Sequence, residues 1–496
     1  MFLLGIDIGT SSIKVSAVDV NTQKSVASVQ YPEEEVAIKS IEQGWAEQAP
    51  EDWWTNTIKA IQRFNASGVV DLSAVKAIGI AYQMHGLVVV DENQNVLRDS
   101  IIWCDSRAVA IGEKAFDEIG HEKCLSHLLN SPGNFTASKL AWVKNNEPAI
   151  YAKIDKVMLP GDFIAMKLTG EITTSISALS EGILWDFKED KTATDVLNYY
   201  GIDEHLIPEV RPLFSNHGFL TTSAAEELGL TAGIPVAYKS GDQPNNALSL
   251  NVLKPGEVAA TAGTSGVIYG VDNQLTYDLQ SRVNTFAHVT YTEANKNTGV
   301  LLCINGTGSM YRWARNNFAP GKSYPELNNL SATAPIGSKG LKVLPFGNGA
   351  ERMLNNKYTG GQIIGIDLNT HTQADIFRAV QEGIAFAFRY GLDIMRENGM
   401  QPKVIRAGKT NLFLSEVFTQ VFVDVTNTAV ELFENDGSVG AAIGAGIGSG
   451  IFNNADEAFK NQELIKRIEP KNSSEYEPVY QAWKQILSET LKNHKI

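Results

Sequence analysis

The feature that most constrains this chain is a strand–turn–strand unit that occurs twice. The first copy runs from an apolar strand, Phe2–Ile8, through Gly9-Thr10-Ser11-Ser12 into a returning strand, Ile13–Val18. The second runs from Val258–Ala262 through Gly263-Thr264-Ser265-Gly266 into Val267–Gly270. Gly9 and Gly263 stand 254 positions apart. Both turns are small and offer several backbone N–H groups, with no bulky side chain to hold an anionic oxygen away, which suits phosphate. A period this long is not that of a solenoid. It predicts two related domains, each presenting one phosphate-gripping hairpin to a shared cleft.

Between the copies, Val236–Lys239 ends a mostly apolar run, and Ser240-Gly241-Asp242-Gln243-Pro244 breaks it before a helical turn at Asn245–Leu250. The boundary expected here divides the chain into residues 1–244 and 245–496. Asp242 thus lies at the join, where it reads either as a helix cap or as a base in a cleft. Asp7, at the end of the first strand, reads either as a carboxylate bonded to its own turn or as a group that orients a cation or phosphate. Lys14 reads as added positive charge or as a solvated strand residue.

The rest of the chain supports an α/β organisation. Glu51–Phe64, Ile111–Leu129, Lys139–Asn146, Phe163–Leu168, Ser309–Asn316, Gln373–Asn398, Glu416–Thr426 and Glu475–Asn493 read as helices, with Trp313 expected on a buried side. Gln373–Asn398 has Ile376, Val380, Ile384, Phe388 and Leu392 four apart and Gly399 as its stop, and Gly383 within it predicts a close backbone approach. Val75–Ala81, Leu87–Asp91, Ser100–Trp103, Ile183–Phe187, Val300–Asn305 and Val404–Ala407 read as strands. Glu351-Arg352 reads as a structural ion pair. Gly408-Lys409-Thr410 lacks the upstream glycine of a phosphate-binding P-loop, because position 403 is Lys. Gly437–Gly450 lacks the glycine spacing of a dinucleotide fingerprint and reads as a close-packed helix of small residues.

Composition excludes several partners. The formal net charge of −14 argues against nucleic acid or an anionic membrane surface. No run approaches the ~18 apolar residues of a spanning helix. Asp7 interrupts the first apolar run and no basic segment precedes it, so the start does not read as a signal peptide. Cys104, Cys124 and Cys303 are isolated, which predicts neither a disulfide framework nor a zinc site and suits a reducing cytoplasm.

Several segments together resemble the FGGY carbohydrate kinases, which share the fold of actin and the heat-shock ATPases. They are GIDIGTSSIK (5–14), GWAEQAPEDWW (44–54), YQMHGLVVVD (82–91), VLRDSIIWCDSRA (96–108), FTASKLAWV (135–143), LPGDFIAMKLTGE (159–171), SGDQPNNA (240–247), AGTSG (262–266), LPFGNGAERMLNN (344–356), AVQEGIAFAFRYG (379–391) and GSVGAAIGAG (437–446). The resemblance covers nearly the whole chain. It implies two related ribonuclease H-like domains of the actin type around a catalytic cleft, and phosphoryl transfer from ATP, with Mg²⁺, to a sugar hydroxyl. D-xylulose, converted to its 5-phosphate, is the first expectation, and another ketopentose or a polyol the variation. A non-catalytic sugar or nucleotide sensor of the same fold is the reading from another class, and the QMHG segment argues against it.

The same resemblance implies roles. Asp242 would be the general base and, with Asp7, hold Mg²⁺. Thr10, Ser11, Ser12 and Lys14, facing Gly263, Thr264 and Ser265, would grip the phosphates. Gln83, Met84, His85, Asp105 and Arg107 would bind the sugar, although from spacing alone His85 also reads as a satisfied loop histidine. Gly408 and Lys409 would lie against adenosine, where the family has three glycines, and Cys104 stands where it has Asn. Glu181-Gly182 replaces a Gly-Thr-like pair, and Glu181 receives no role. Family members are often homodimers, and a two-domain cleft of this kind is expected to close on its sugar.

Overall fold

The computed structural model describes residues 1–493. Its first sheet holds β1 (Phe2–Ile8), β2 (Ile13–Asp19), β3 (Ser25–Tyr31), β4 (Val75–Tyr82) and β5 (Val236–Gly241) in the order β5-β4-β1-β2-β3. β1 and β2 pair antiparallel from Phe2 opposite Asp19 to Ile8 opposite Ile13, which leaves Gly9–Ser12 as a tight turn. β3 is antiparallel to β2, whereas β4 runs parallel to β1 and β5 parallel to β4.

The second sheet holds β6 (Glu257–Ala262), β7 (Gly266–Asp272), β8 (Asn284–Ala287), β9 (Thr298–Ile304), β10 (Val404–Gly408), β11 (Val430–Phe433) and β12 (Leu464–Ile468), in the order β8-β9-β7-β6-β10-β11-β12. β6 and β7 form an antiparallel hairpin, β9 is antiparallel to β7, and β10 and β11 continue in parallel from β6. The order β3-β2-β1-β4-β5 therefore recurs as β9-β7-β6-β10-β11, with β8 and β12 added at the edges. This is the ribonuclease H-like sheet twice, and the two Gly-Thr-Ser turns occupy equivalent places in it.

Parallel neighbours need long crossovers, and amphipathic helices supply them. α1 (Pro50–Ala66) carries Pro and two acids in its first turn and buries Trp53, Trp54, Ala60, Ile61 and Phe64. α2 (Pro160–Thr169) and α3 (Ile176–Glu181) precede the join, and α4 (Asp242–Ser249) follows β5 without a break. α5 (Gly308–Phe318) leans on the second hairpin. α6 (Gln373–Glu397) starts in a capping box of Thr372 and Asp375, and Gly383 meets Val343 so closely that a Cβ would lie 2.3 Å from its carbonyl oxygen.

α7 (Gly437–Gly448) belongs by sequence to the second half yet packs across the first sheet. A Cβ on Gly5 would stand 1.7 Å from Ser438 O, and one on Gly79 would stand 1.9 Å from Ala441 O. The small residues therefore serve backbone-to-sheet contact between the halves, as the absence of a dinucleotide spacing suggests.

Three expectations are corrected. Ile111–Leu129 is two helices, 109–119 and 121–128, because Gly120 adopts φ +103° between them. Trp313 is 49% exposed, since Met310, Tyr311 and Ala314 take the buried face of α5. Glu351 and Arg352 form no ion pair. The Glu351 carboxylate accepts the Asn305 N–H at 2.9 Å, and Arg352 reaches Asn284 instead.

Candidate functional site

The turn of the first hairpin is tied to the segment after β4. Thr10 Oγ1 donates to Gln83 Oε1 at 3.2 Å and accepts from Trp103 Nε1 at 3.0 Å, while Gln48 Nε2 donates to Thr10 O at 2.7 Å. Gln83 Nε2 in turn donates to Gln48 Oε1 at 3.0 Å. Gln83 is buried, and its amide oxygen and nitrogen both take part in this network, which braces the turn. Ser11 and Ser12 complete the turn, which Gly9 N closes onto Ser12 O at 3.1 Å.

The second turn is held by α5. Gly308 N donates to Gly263 O at 2.9 Å and Ser309 N to Thr264 O at 3.1 Å. Beside Gly263 and Thr264 opens a cavity of about 550 Å³, whose wall includes Tyr311, Asn328, Asn411 and Ser415. Gly408 is buried against Asn435, and the exposed Lys409 lines an adjoining cavity of about 650 Å³ with Phe413 and Lys466, the two cavities sharing Leu414, Glu416 and Val417. Neither Gly408 nor Lys409 lines the hairpin cavity itself, and the four residues named in its wall carry no sequence signature that marks them.

Carboxylates converge between the turns. Asp242 is the first residue of α4, and Gly241, not Asp242, occupies the capping position. Burial and then the charge of Asp7 raise the Asp242 pKa to about 7. Asp7 rises to about 6 through burial and the charge of Asp436, against the pull of Lys14. Lys14 pairs with Asp436, which caps α7 through Ser438 N at 2.9 Å. Gly437 leaves room for the Asp7 carboxylate, because a Cβ there would stand 2.3 Å from Oδ2. Asp436 was missed in the sequence, although Asp-Gly-Ser ahead of a helix is a capping signal.

On the other wall, His85 takes φ +62°, a strained conformation for a residue with a Cβ. Its carbonyl accepts from the buried Lys139 Nζ at 2.9 Å, and Lys139 also donates to Ile102 O at 3.0 Å. Burial lowers Lys139 to about 7, against the charge of Asp105. This lysine joins the QMHG and WCDSR segments. The His85 Nδ1 lies 3.1 Å from Glu181 O, which can only accept, so Nδ1 carries the hydrogen. Burial, then the charge of Lys139, lowers the His85 pKa to about 3, so the ring is neutral and Nε2 is an acceptor. Met84 packs beside it against Gly241.

Asp105 and Arg107 depart from the sugar-binding expectation. Asp105 accepts from Ala46 N at 2.6 Å, from Arg107 N at 2.8 Å and from the Arg107 guanidinium at 2.7–3.0 Å. Arg107 also bonds Glu47 at 2.7 Å and stacks 3.8 Å from the Trp45 ring centre. Both side chains are closed to solvent, the Asp105 carboxylate is fully taken up by Ala46 and Arg107, and the Arg107 guanidinium is held by Asp105 and Glu47. They brace the wall from behind.

Two duplicated domains that bring phosphate-sized turns, carboxylates and a neutral imidazole to one cleft define a phosphotransferase of the actin-like ATPase type. The model of the FGGY carbohydrate kinase N-terminal domain matches residues 2–249 and that of the C-terminal domain matches 258–449. The chain belongs to the FGGY family of carbohydrate kinases. It is 30% identical to the xylulose kinase of Staphylococcus epidermidis, over 98% of this chain and 97% of that one. It is 29% identical to the xylulose kinase of Bacillus subtilis, over 99% and 97%. The crystal structure of xylulose kinase from Rhodospirillum rubrum superposes with a TM-score of 0.87 at 25% identity, over 99% of each chain. No described helix is long and apolar enough to cross a membrane.

Proposed function

We propose that this protein phosphorylates D-xylulose at its 5-hydroxyl, with ATP as donor and Asp242 as general base. The observation that carries the mechanism is Asp242 itself, a carboxylate at the start of α4 between the two hairpin turns, with a pKa of about 7. A base is most effective when it is half ionised near working pH and strong enough to take the hydroxyl proton as the P–O bond forms. Similarity to xylulose kinases over nearly the full chain supports the choice of sugar.

The cavity of about 550 Å³ is the size for adenosine, with Thr10, Ser11, Ser12, Gly263, Thr264 and Ser265 gripping the phosphates. Asp7 and Asp242 repel each other when both are ionised, which favours a divalent cation between them. Two carboxylates completed by phosphate and water suit Mg²⁺, and it would neutralise phosphate charge during transfer. Lys14, partly exposed beside Asp7, supplies further positive charge. We place the domain boundary between residues 244 and 245, two residues past Asp242.

The substrate chemistry fits the neutral wall. A 2-ketopentose that closes to a furanose uses its 5-hydroxyl in the ring, so 5-phosphorylation requires the open chain. His85 Nε2 then accepts a hydrogen bond from one chain hydroxyl, and Met84 covers its apolar side. Coupled ADP release with Mg²⁺-ATP across D-xylulose, L-xylulose, D- and L-ribulose, glycerol, L-fuculose and gluconate tests the reading. Preference for D-xylulose is expected. Preference for another ketopentose or polyol moves the specificity but keeps Asp242, and no turnover with any of them supports a non-catalytic sensor.

A further inference from the structure

Behind the sugar-facing residues lies a carboxyl group that the mechanism above does not use. Glu181 ends α3, and its side chain is 2% exposed. Its Oε1 accepts the Tyr82 hydroxyl at 2.8 Å, whereas its Oε2 is sealed from solvent without any hydrogen-bond partner. Its own carbonyl fixes His85 Nδ1. Oε2 lies 3.0 Å from the point where a Cβ on Gly241 would stand, one residue ahead of Asp242. One residue therefore meets both: its carbonyl bonds the histidine, while its carboxyl lies 3.8 Å from the same ring nitrogen and packs against Gly241, the residue ahead of the base.

The surroundings also decide its protonation. Among the described residues no lysine or arginine pairs with this carboxyl, and the nearest basic atom is His85 Nδ1 at 3.8 Å, whose hydrogen is already given to the carbonyl. A buried carboxylate with a single neutral donor would be left uncompensated. Burial, joined by the charges of Asp242 and Asp162 and opposed by the Tyr82 hydrogen bond, raises its pKa well above the ordinary carboxylate value.

We propose that Glu181 is a positioning residue of the sugar site, holding the His85 ring and the Gly241–Asp242 corner from behind as an uncharged carboxylic acid. The inference rests on the kinase reading. The missing charge matters, because a second anion beside Asp242 would keep the base protonated and repel the incoming γ-phosphate. A neutral acid gives shape and one hydrogen bond without adding to that field.

The test is steady-state kinetics and melting temperature of the full chain and of Glu181→Ala, Glu181→Gln and Tyr82→Phe, with Mg²⁺-ATP and the sugar the wild type prefers. Glu181→Ala is expected to raise the sugar KM about tenfold or more and to leave the ATP KM within about twofold. Glu181→Gln, neutral and of the same shape, recovers most of that loss, and its acid limb in kcat/KM overlays the wild-type limb. Tyr82→Phe, which removes the partner of Oε1, raises the sugar KM severalfold and keeps the proposal testable should Glu181→Ala not fold.

A lower melting temperature in Glu181→Ala with an unmoved sugar KM overturns the proposal and leaves Glu181 as packing. So does an unmoved sugar KM in Tyr82→Phe. A limb displaced by a pH unit or more in Glu181→Gln overturns the neutral state. Wild-type protein that turns over no sugar brings down the kinase reading and this inference with it, whereas an active wild type with an indifferent Glu181 sinks the inference alone.

Discussion

At the scale of single residues the cleft is a problem in placing negative charge. Burial and the charge of Asp7 raise Asp242, burial and the charge of Asp436 raise Asp7, Lys14 pairs with Asp436, and Glu181 has no cation of its own. Replacing Asp242 with Ala should lower kcat by about 10²–10⁴, with the sugar and ATP KM values changed only a few-fold. With free enzyme, the acid limb of kcat/KM should fall near pH 7, because the base must be ionised to act. The same shift predicts stability. Asp242 binds its proton more tightly folded than unfolded, so it favours the fold fully below pH 3.8 and loses that contribution as pH rises towards 7. Asp242→Asn should therefore be more stable than wild type at pH 8, by up to about 4 kcal/mol and with a higher melting temperature, and nearly equal to it at pH 3.5. Indistinguishable melting at both pH values would contradict the buried, charge-coupled state.

Residue type was readable in the sequence, but direction was not. Asp7 and Asp242 end a strand and open a helix beside turns, so their place near the cleft followed from local pattern. Asp105 and Arg107 have the same kind of address, past the end of a strand, yet turn inward because Ala46, Glu47 and Trp45 arrive from a remote segment. Glu181 could not be read at all. Its interest depends on an oxygen left without a partner, which only three-dimensional neighbours define.

At the scale of elements, α7 joins the halves. Gly5 of β1 and Gly79 of β4 admit its backbone to contact distance, and its own Gly448 admits the Ala237 carbonyl of β5, so no side chain can be added at these points without separating them. Gly79→Ala would drive a methyl into the Ala441 carbonyl and should cost at least about 2 kcal/mol by denaturant unfolding. A loss below about 0.5 kcal/mol would mean that the helix is free to shift. Long periodic helices such as α6 were legible because a single buried face repeats every four residues. The break at Gly120 was not, since an apolar pattern carries across one glycine, and neither was the exposure of Trp313, because a hydrophobic residue near a stripe is not always on it.

At the scale of the whole molecule, two similar sheets meet along α7 and face each other across the carboxylates. If sugar and nucleotide contact different halves, as proposed, binding both should draw the halves together and keep water from the γ-phosphate. Small-angle scattering should give a smaller radius of gyration with sugar and a non-hydrolysable ATP analogue than without. Identical profiles would count against closure. Chelation of Mg²⁺ should abolish turnover reversibly, because it leaves Asp7, Asp242 and the phosphates mutually repelling.

The sequence by itself determined the duplicated strand–turn–strand plan, the α/β class and the residues at its two turns and its join. Hydrophobic periodicity and turn chemistry are local, and the second copy made the first meaningful. Only the tertiary structure decided which polar residues face the cleft and which are consumed in its walls. Hydrogen-bond capacity is finite, and whether Asp105, Gln83 or Glu181 has any left depends on partners tens of residues away. It also decided the charge balance at Asp242, because the pKa of a carboxyl follows from burial and from neighbours that the chain order does not reveal.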